Sequence, residues 1–313
     1  VSQRLSARPA CCDGDGDGTA EGCGVKRIDR TRLIVHPGSR CDLATFDPAA
    51  TGTFAKKSDA AGKLASDIKR LAALQDIFYA QGRYALLIVF QGMDAAGKDG
   101  AIGHVMTGVN PQGVDVHAFK TPTPLELAHD YLWRCINVLP ERGKIGIFNR
   151  SYYEETIVAR VHPAILAAER LPPAGAKGVW AERFEDIVAF ERHLVRNGTI
   201  VLKFFLHLSK HEQRKRLLKR IDTPAKNWKL SPDDVRERAF WDDYQRAYEE
   251  TLTHTSTNEA PWHVIPADHK WFTRAAIADT IVATLESLDL RYPDVTDAQR
   301  AMLATSRTEL ERD

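Results

Sequence analysis

The features this sequence lacks narrow its reading early. No apolar run approaches the ~20 residues that a membrane-spanning helix requires. The first residues do not follow the basic-then-apolar order of a leader. A cytoplasmic chain with no membrane association is therefore expected. Cysteine is scarce, five in 313 residues, with no C-x-x-C pair, which argues against both a zinc site and a disulfide framework. Cys11, Cys12, Cys23 and Cys41 lie in or beside the N-terminal segment, Cys135 lies in a predicted amphipathic helix, and all five read as reduced thiols. Net charge is nearly absent too, at +1, so any site for a polyanion must come from local clustering. Asp13 to Gly18 alternates Asp and Gly like the opening of a calcium loop. Gly24, however, stands where the twelfth position needs Glu. Residues 1 to about 40 thus read as a flexible tail, and deleting residues 1 to 38 is expected to leave activity and thermal stability nearly unchanged.

What is present suits a packed α/β domain. Hydrophobic residues make up 43% and charged residues 27%, an ordinary balance for a chain with a core. Leu64, Ile68, Leu71, Leu74 and Phe78 recur at helical spacing up to Gly82. Tyr84 to Phe90 is then a continuous apolar run, as in a strand buried on both faces. Further strands are predicted at Val114–Phe119, Lys144–Phe148, Ile200–Leu208 and Trp262–Ile265. Helices are predicted at Pro124–Val138, Val179–Arg196, Ser209–Ile221, Pro232–Leu252 and Lys270–Leu288. This alternation predicts a five-stranded, mainly parallel sheet flanked by helices, with ligands at the carboxyl ends of its strands. Ser209 with Glu212 reads as a capping box, and Ser231-Pro232 with Asp234 as another helix start.

Directly after the first strand stands Gly92-Met-Asp94-Ala95-Ala96-Gly97-Lys98-Asp99-Gly100, a G-x-x-x-x-G-K phosphate loop. Its glycines let backbone amides turn toward phosphate oxygens, the helix behind adds partial positive charge, and Lys98 supplies a full one. Asp99 replaces the usual Ser or Thr, so no hydroxyl is offered to magnesium there. Asp94 puts a carboxylate inside the loop, where it suits a magnesium ligand or an acceptor-side base. At the tip of the third strand, Asn149-Arg150-Ser151-Tyr152-Tyr153-Glu154-Glu155 offers a guanidinium fork for phosphate and carboxylates for metal or acceptor. Eight basic residues face two acidic ones between 210 and 229. Lys210, Arg214, Arg216, Arg220, Lys226 and Lys229 are the phosphate-binding candidates among them, on a lid made of two helices and a basic connection. Trp228 is the lone aromatic in that stretch, which disfavours a nucleic-acid surface.

These blocks resemble the polyphosphate kinase 2 family. So do Asp130-Tyr-Leu-Trp-Arg134, Leu202 to Ser209 and Ala260 to Pro266, in order from about Phe46 to Tyr292. Tyr152 to Glu155 looks like the family's third class, whose members accept AMP and ADP. The resemblance implies a thymidylate-kinase-like P-loop fold, dependence on Mg2+ with Mn2+ able to substitute, and phosphoryl transfer between inorganic polyphosphate and AMP, ADP or ATP. By motif matching, Asp94, Lys98, Arg150, Glu155 and Arg216 carry over as catalytic, with Asp94 on the metal. Gly92, Ala95, Ala96, Gly97 and Asp99 join the lid cations on phosphate, and Arg150, Tyr153, Glu154 and Glu155 on the nucleotide. Some relatives have Asp where Asn149 stands, which shifts the metal role toward Asp94. The expected division is a tail over 1–40, a phosphotransferase domain over 41–290 with its lid at about 209–252, and a C-terminal tail over 291–313, in a homo-oligomer. Two other readings stay open: an ATP-dependent nucleoside or nucleotide kinase of the same fold, and a non-catalytic P-loop module.

Overall fold

Strand β1 (Ala85–Gln91) is buried along its whole length. Leu86, Ile88 and Phe90 face one core cluster, and Leu87 and Val89 face the other. That is the two-sided burial which a continuous apolar strand requires. The computed structural model describes residues 27–172 and 178–312. Cys11, Cys12, Cys23 and the Asp13–Gly18 segment lie outside the described residues.

Helix α1 (Lys57–Gln81) precedes β1 and ends at Gly82, whose φ of +58° gives the left-handed stop that glycine favours. After β1 come α2 (Lys98–Val105), β2 (Val114–Ala118), α3 (Pro124–Leu127), α4 (Trp133–Ile136) and β3 (Ile145–Asn149). Then follow α5 (Glu154–Val161), α6 (Pro163–Ala168), α7 (Val179–Arg196), β4 (Thr199–His207) and α8 (Lys210–Ile221). The chain continues through α9 (Pro232–Arg236), α10 (Trp241–Thr255), β5 (Trp262–Pro266), α11 (Lys270–Glu286) and α12 (Asp297–Leu310). The five strands run in the order β2-β3-β1-β4-β5, and every pairing is parallel. Helices α1, α2 and α11 cover one face of the sheet, and α5, α7 and α10 cover the other. Strand order thus reverses about β1, which brings the tips of β1, β3 and β4 together at one end. Among the described residues no helix is long and apolar enough to cross a membrane.

Three expectations need correction. The helix over 124–138 is two short ones, because the Asp130 carboxylate accepts from the Leu132 N–H and turns the chain between them. The helix over 232–252 is α9, a 3₁₀ turn over Glu237–Phe240, and α10. Within that turn the Glu237 carboxylate is held by His162 Nε2 at 2.8 Å and Tyr244 Oη at 2.6 Å. Third, the chain from about residue 28 packs on the domain, well before the boundary set at 40. Leu33 and Val35 are buried, the Val35 N–H donates to the Trp262 carbonyl at 2.9 Å, and Arg30 pairs with Asp279 at 2.7 Å. Ile34 also bridges His263 in antiparallel fashion. The physical reason is the exposed edge of β5, whose unpaired backbone groups this segment caps. Farther on, the Ser231 capping box is complete, whereas at Ser209 only half of one forms. Ser209 Oγ caps the Glu212 N–H, but the Ser209 N–H goes to Asp268.

Candidate active site

The loop between β1 and α2 takes its shape from residues that tolerate unusual backbone. Gly92 has φ of +150°, and a side chain there would begin 2.9 Å from the Leu206 carbonyl oxygen. Ala95 (φ +62°) and Gly97 (φ +105°) complete the turn. Across the sheet Arg150 is also left-handed, at φ +65°. An Arg held in that region marks a position fixed by its surroundings for use. Its backbone N–H donates to the Phe90 carbonyl at 3.0 Å, tying the β3 tip to the β1 tip.

These turns open onto a cleft of about 1170 Å³. Lys98 is buried, and its Nζ donates to the Gly92 carbonyl at 2.6 Å. Burial, and then the nearby Arg150, lower its ammonium to about 8. Arg150 bridges two carboxylates, Asp94 at 2.8 Å and Glu154 at 2.9 Å, and Glu154 foremost raises its pKa. Among the described residues no three His, Cys, Asp or Glu side chains converge. A divalent ion carried by one or two carboxylates, water and substrate phosphates would fit so sparse a donor set. Asp94 and Glu154, on either side of Arg150, are the residues that would hold it. Glu155 is buried beside Arg134, 3.4 Å away. Burial, then Glu169, raise its carboxyl to about 7 against the pull of Arg134 and Arg183.

Of the residues expected from sequence, Asp94, Ala95, Ala96, Gly97, Lys98, Asp99, Arg150, Glu154, Glu155, Arg216, Arg220, Lys226 and Lys229 line this cleft, and Gly92 shapes its floor. The Asp99 carboxylate accepts from Asn149 at 2.6 Å, which leaves the residue's backbone N–H, in the first turn of α2, as the group it could offer an anion. Two lid cations are not brought in. Lys210 lies over the Trp241 ring, 5.9 Å from its centroid, and Arg214 is exposed on α8 outside the cleft lining.

Tyr153, expected at the nucleotide, is fully buried on the α5, α7 and α10 side. Its hydroxyl donates to Glu191 at 2.7 Å and accepts from Lys203 Nζ at 3.0 Å. Tyr152 donates to the same Glu191 oxygen at 2.8 Å, and Lys203 pairs with Glu191 at 2.6 Å. The pair anchors the start of α5 from behind and cannot touch a ligand in the cleft. Arg216 also departs from expectation. Its Nε donates to Glu212, its Nη1 to the Ala95 and Ala96 carbonyls, and its Nη2 to the Ala267 and Asp268 carbonyls. Five N–H donors meet five protein acceptors, so here Arg216 braces the phosphate loop and offers no free donor to a phosphate. Sequence reasoning missed Lys120, Lys270 and Arg274 as cleft residues. No local motif marks them; chain topology alone carries them to the cleft, where Lys219 of the basic stretch over 210–229 also stands.

The match to known proteins agrees with this geometry. Residues 54–293 match the family model for polyphosphate kinase 2. An ADP-polyphosphate phosphotransferase of Rhodopseudomonas palustris is 47% identical over 286 residues, covering 91% of this chain and 99% of the relative. An AMP/ADP-polyphosphate phosphotransferase of Meiothermus ruber is 46% identical over 260 residues, covering 83% and 94%. Among solved structures, polyphosphate kinase 2 from Arthrobacter aurescens superposes with a TM-score of 0.79 at 40% identity, covering 87% of this chain and 95% of that one. The matched stretch takes in the phosphate loop after the central strand, the arginine at the next strand tip and the basic cleft between them, and the chain belongs to the polyphosphate kinase 2 family.

Proposed function

We propose that this chain transfers the terminal phosphoryl group of inorganic polyphosphate to AMP and ADP, reversibly and with Mg2+ or Mn2+. The observation that carries this reading is the cleft itself. Lys98 and Arg150 stand at its reacting end, and lysines that form no ion pair among the described residues line the rest of its wall, more than one triphosphate needs. An acceptor phosphate oxygen attacks the terminal phosphorus in line, the bond to the bridging oxygen breaks, and the polyphosphate leaves one unit shorter. Lys98 shifts from the Gly92 carbonyl toward the phosphate and neutralises charge on the transferred group. Arg150, carried on a rigid strand tip, orients that group with its planar fork. The divalent ion, when bound, neutralises charge between donor and acceptor oxygens. A cytoplasmic homo-oligomer is part of the same reading, and light scattering on the purified protein tests the assembly.

The decisive experiment incubates the protein with AMP or ADP, long-chain polyphosphate and Mg2+, and resolves the nucleotides by chromatography. ADP should form from AMP and ATP from ADP, and EDTA should stop both. A protein that uses ATP but never polyphosphate as donor is instead a nucleoside or nucleotide kinase of the same fold.

A further inference from the structure

The wall of the cleft formed by α11 carries two cations that the reaction described above does not use. Lys270 and Arg274 stand four residues apart in the opening turns of this helix, a spacing that puts them on one face. Both line the cleft, and neither side chain has an ion pair or hydrogen bond among the described residues. Arg150 and Arg220, by contrast, each pair with a carboxylate.

The surroundings sharpen the point. Besides burial, the cations Arg216, Arg274 and Lys226 hold the Lys270 ammonium below its ordinary range. The carboxylate that opposes them, Glu212, is itself bound by Arg216 at 2.9 Å. Arg274 is likewise lowered by burial. Like charges gathered without counter-charges destabilise a fold, so this wall is complete only when an anion with several charges lies on it. Its position says which part of the anion that is. The Arg274 guanidinium lies 3.9 Å from where a side chain at Gly100 would begin, beside the first turn of α2 and two residues along the helix from Lys98. Lys226, on the lid side of Lys270, continues the same track.

We propose that Lys270 and Arg274 hold the non-reacting phosphates of the polyphosphate donor, as chain-anchoring contacts set apart from the transferred group. The assignment rests on the reading of this chain as a polyphosphate user. Such anchors should matter for a donor long enough to reach them and little for one that ends at the phosphate loop. Arginine suits the inner position, where its fork meets two oxygens, and lysine the outer one, where the chain can shift.

The test measures steady-state kinetics of Lys270→Ala, Arg274→Ala and the double variant with ADP, using long-chain polyphosphate and tripolyphosphate as alternative donors. Each lost charged contact should raise KM for the long donor about tenfold, with kcat held within about threefold. KM for tripolyphosphate should rise far less and KM for ADP not at all. Lys270→Arg and Arg274→Lys should recover most of the loss. Filter retention of labelled long-chain polyphosphate without acceptor should weaken by the same factors. The assignment is overturned by equal KM rises for both donors, by a fall in kcat with KM unmoved, or by a rise in KM for ADP, which would move these cations to the acceptor. An active wild type with unaffected variants defeats this assignment alone. A wild type inert with every polyphosphate defeats the functional reading and this one with it.

Discussion

At Lys98 burial and function oppose each other. An ammonium lowered to about 8 is still protonated at neutral pH, and it loses its charge over the next unit or so. For the free enzyme, kcat/KM for polyphosphate should therefore be flat below about pH 8 and fall above it. A polyanion bound beside the lysine restores the charged form, so binding at pH 8 should take up protons. Calorimetry in two buffers of different ionisation enthalpy reads this directly. Lys98→Ala should lower turnover by ~10²–10⁴ without loss of fold; a folded variant with a near-normal rate would remove Lys98 from the site. Glu155 carries the opposite shift. Raised to about 7 from an ordinary 4.5, its carboxyl keeps a proton that the unfolded chain gives up. Stability from this group should therefore fall as pH rises from about 4.5 to 7, by about 3 kcal/mol, and then level off. Glu155→Gln should flatten that slope in urea midpoints measured at pH 5 and 7.5. Glu155→Asn should reduce AMP phosphorylation by a larger factor than ADP phosphorylation, because ADP brings an extra phosphate that the cleft cations can hold in place of what this side chain supplies; equal losses would take Glu155 out of acceptor choice. The phosphate loop was legible in the sequence because its chemistry is local. The roles of Tyr153 and Arg216 were not, since each depends on partners brought in by tertiary packing: Glu191 and Lys203 for one, four backbone carbonyls and Glu212 for the other.

Among the elements, the strands were the most legible, because a strand covered on both faces must be apolar without interruption. β1, β4 and β5 lie within a residue or two of their predicted bounds. Helices interrupted by side-chain hydrogen bonds were less so, as the breaks at Asp130 and Glu237 illustrate. The N-terminal segment was misread because it has no periodicity of its own; its register comes from the β5 edge. A truncation ending at residue 38 should therefore lower the thermal midpoint by several degrees, since it uncovers that edge and removes the buried Leu33 and Val35. Leu33→Ala alone should cost about 2–4 kcal/mol. Thermal unfolding of both variants checks this, and an unchanged midpoint would mean that the segment's burial contributes nothing to stability.

Over the whole molecule the charges balance to +1, yet the cleft collects cations from α2, the β3 tip, the lid and α11. Such a local surplus is screened by salt. KM for long-chain polyphosphate should therefore climb steeply between low and physiological ionic strength, while KM for AMP climbs little; parallel dependence would deny the cleft its polyanion. The brace at Arg216 bears on how the cleft closes. With its midpoint bolted to the phosphate loop and to the loop after β5, α8 resembles a cantilever that carries the short helical pieces beyond Asp222 on its outer end, where Arg220 binds the Lys229 carbonyl and Asp234. Closing would then be a flexing of the short helical pieces between Asp222 and Phe240 against a stationary root. Their amides should exchange hydrogen faster than those of Lys210–Ile221 and slow down when polyphosphate spans the gap. A beam fixed at that root would transmit force as well as motion, so pressure of a polyphosphate chain on its outer end should be felt at the carbonyls of Ala95 and Ala96, which Arg216 holds in the phosphate loop.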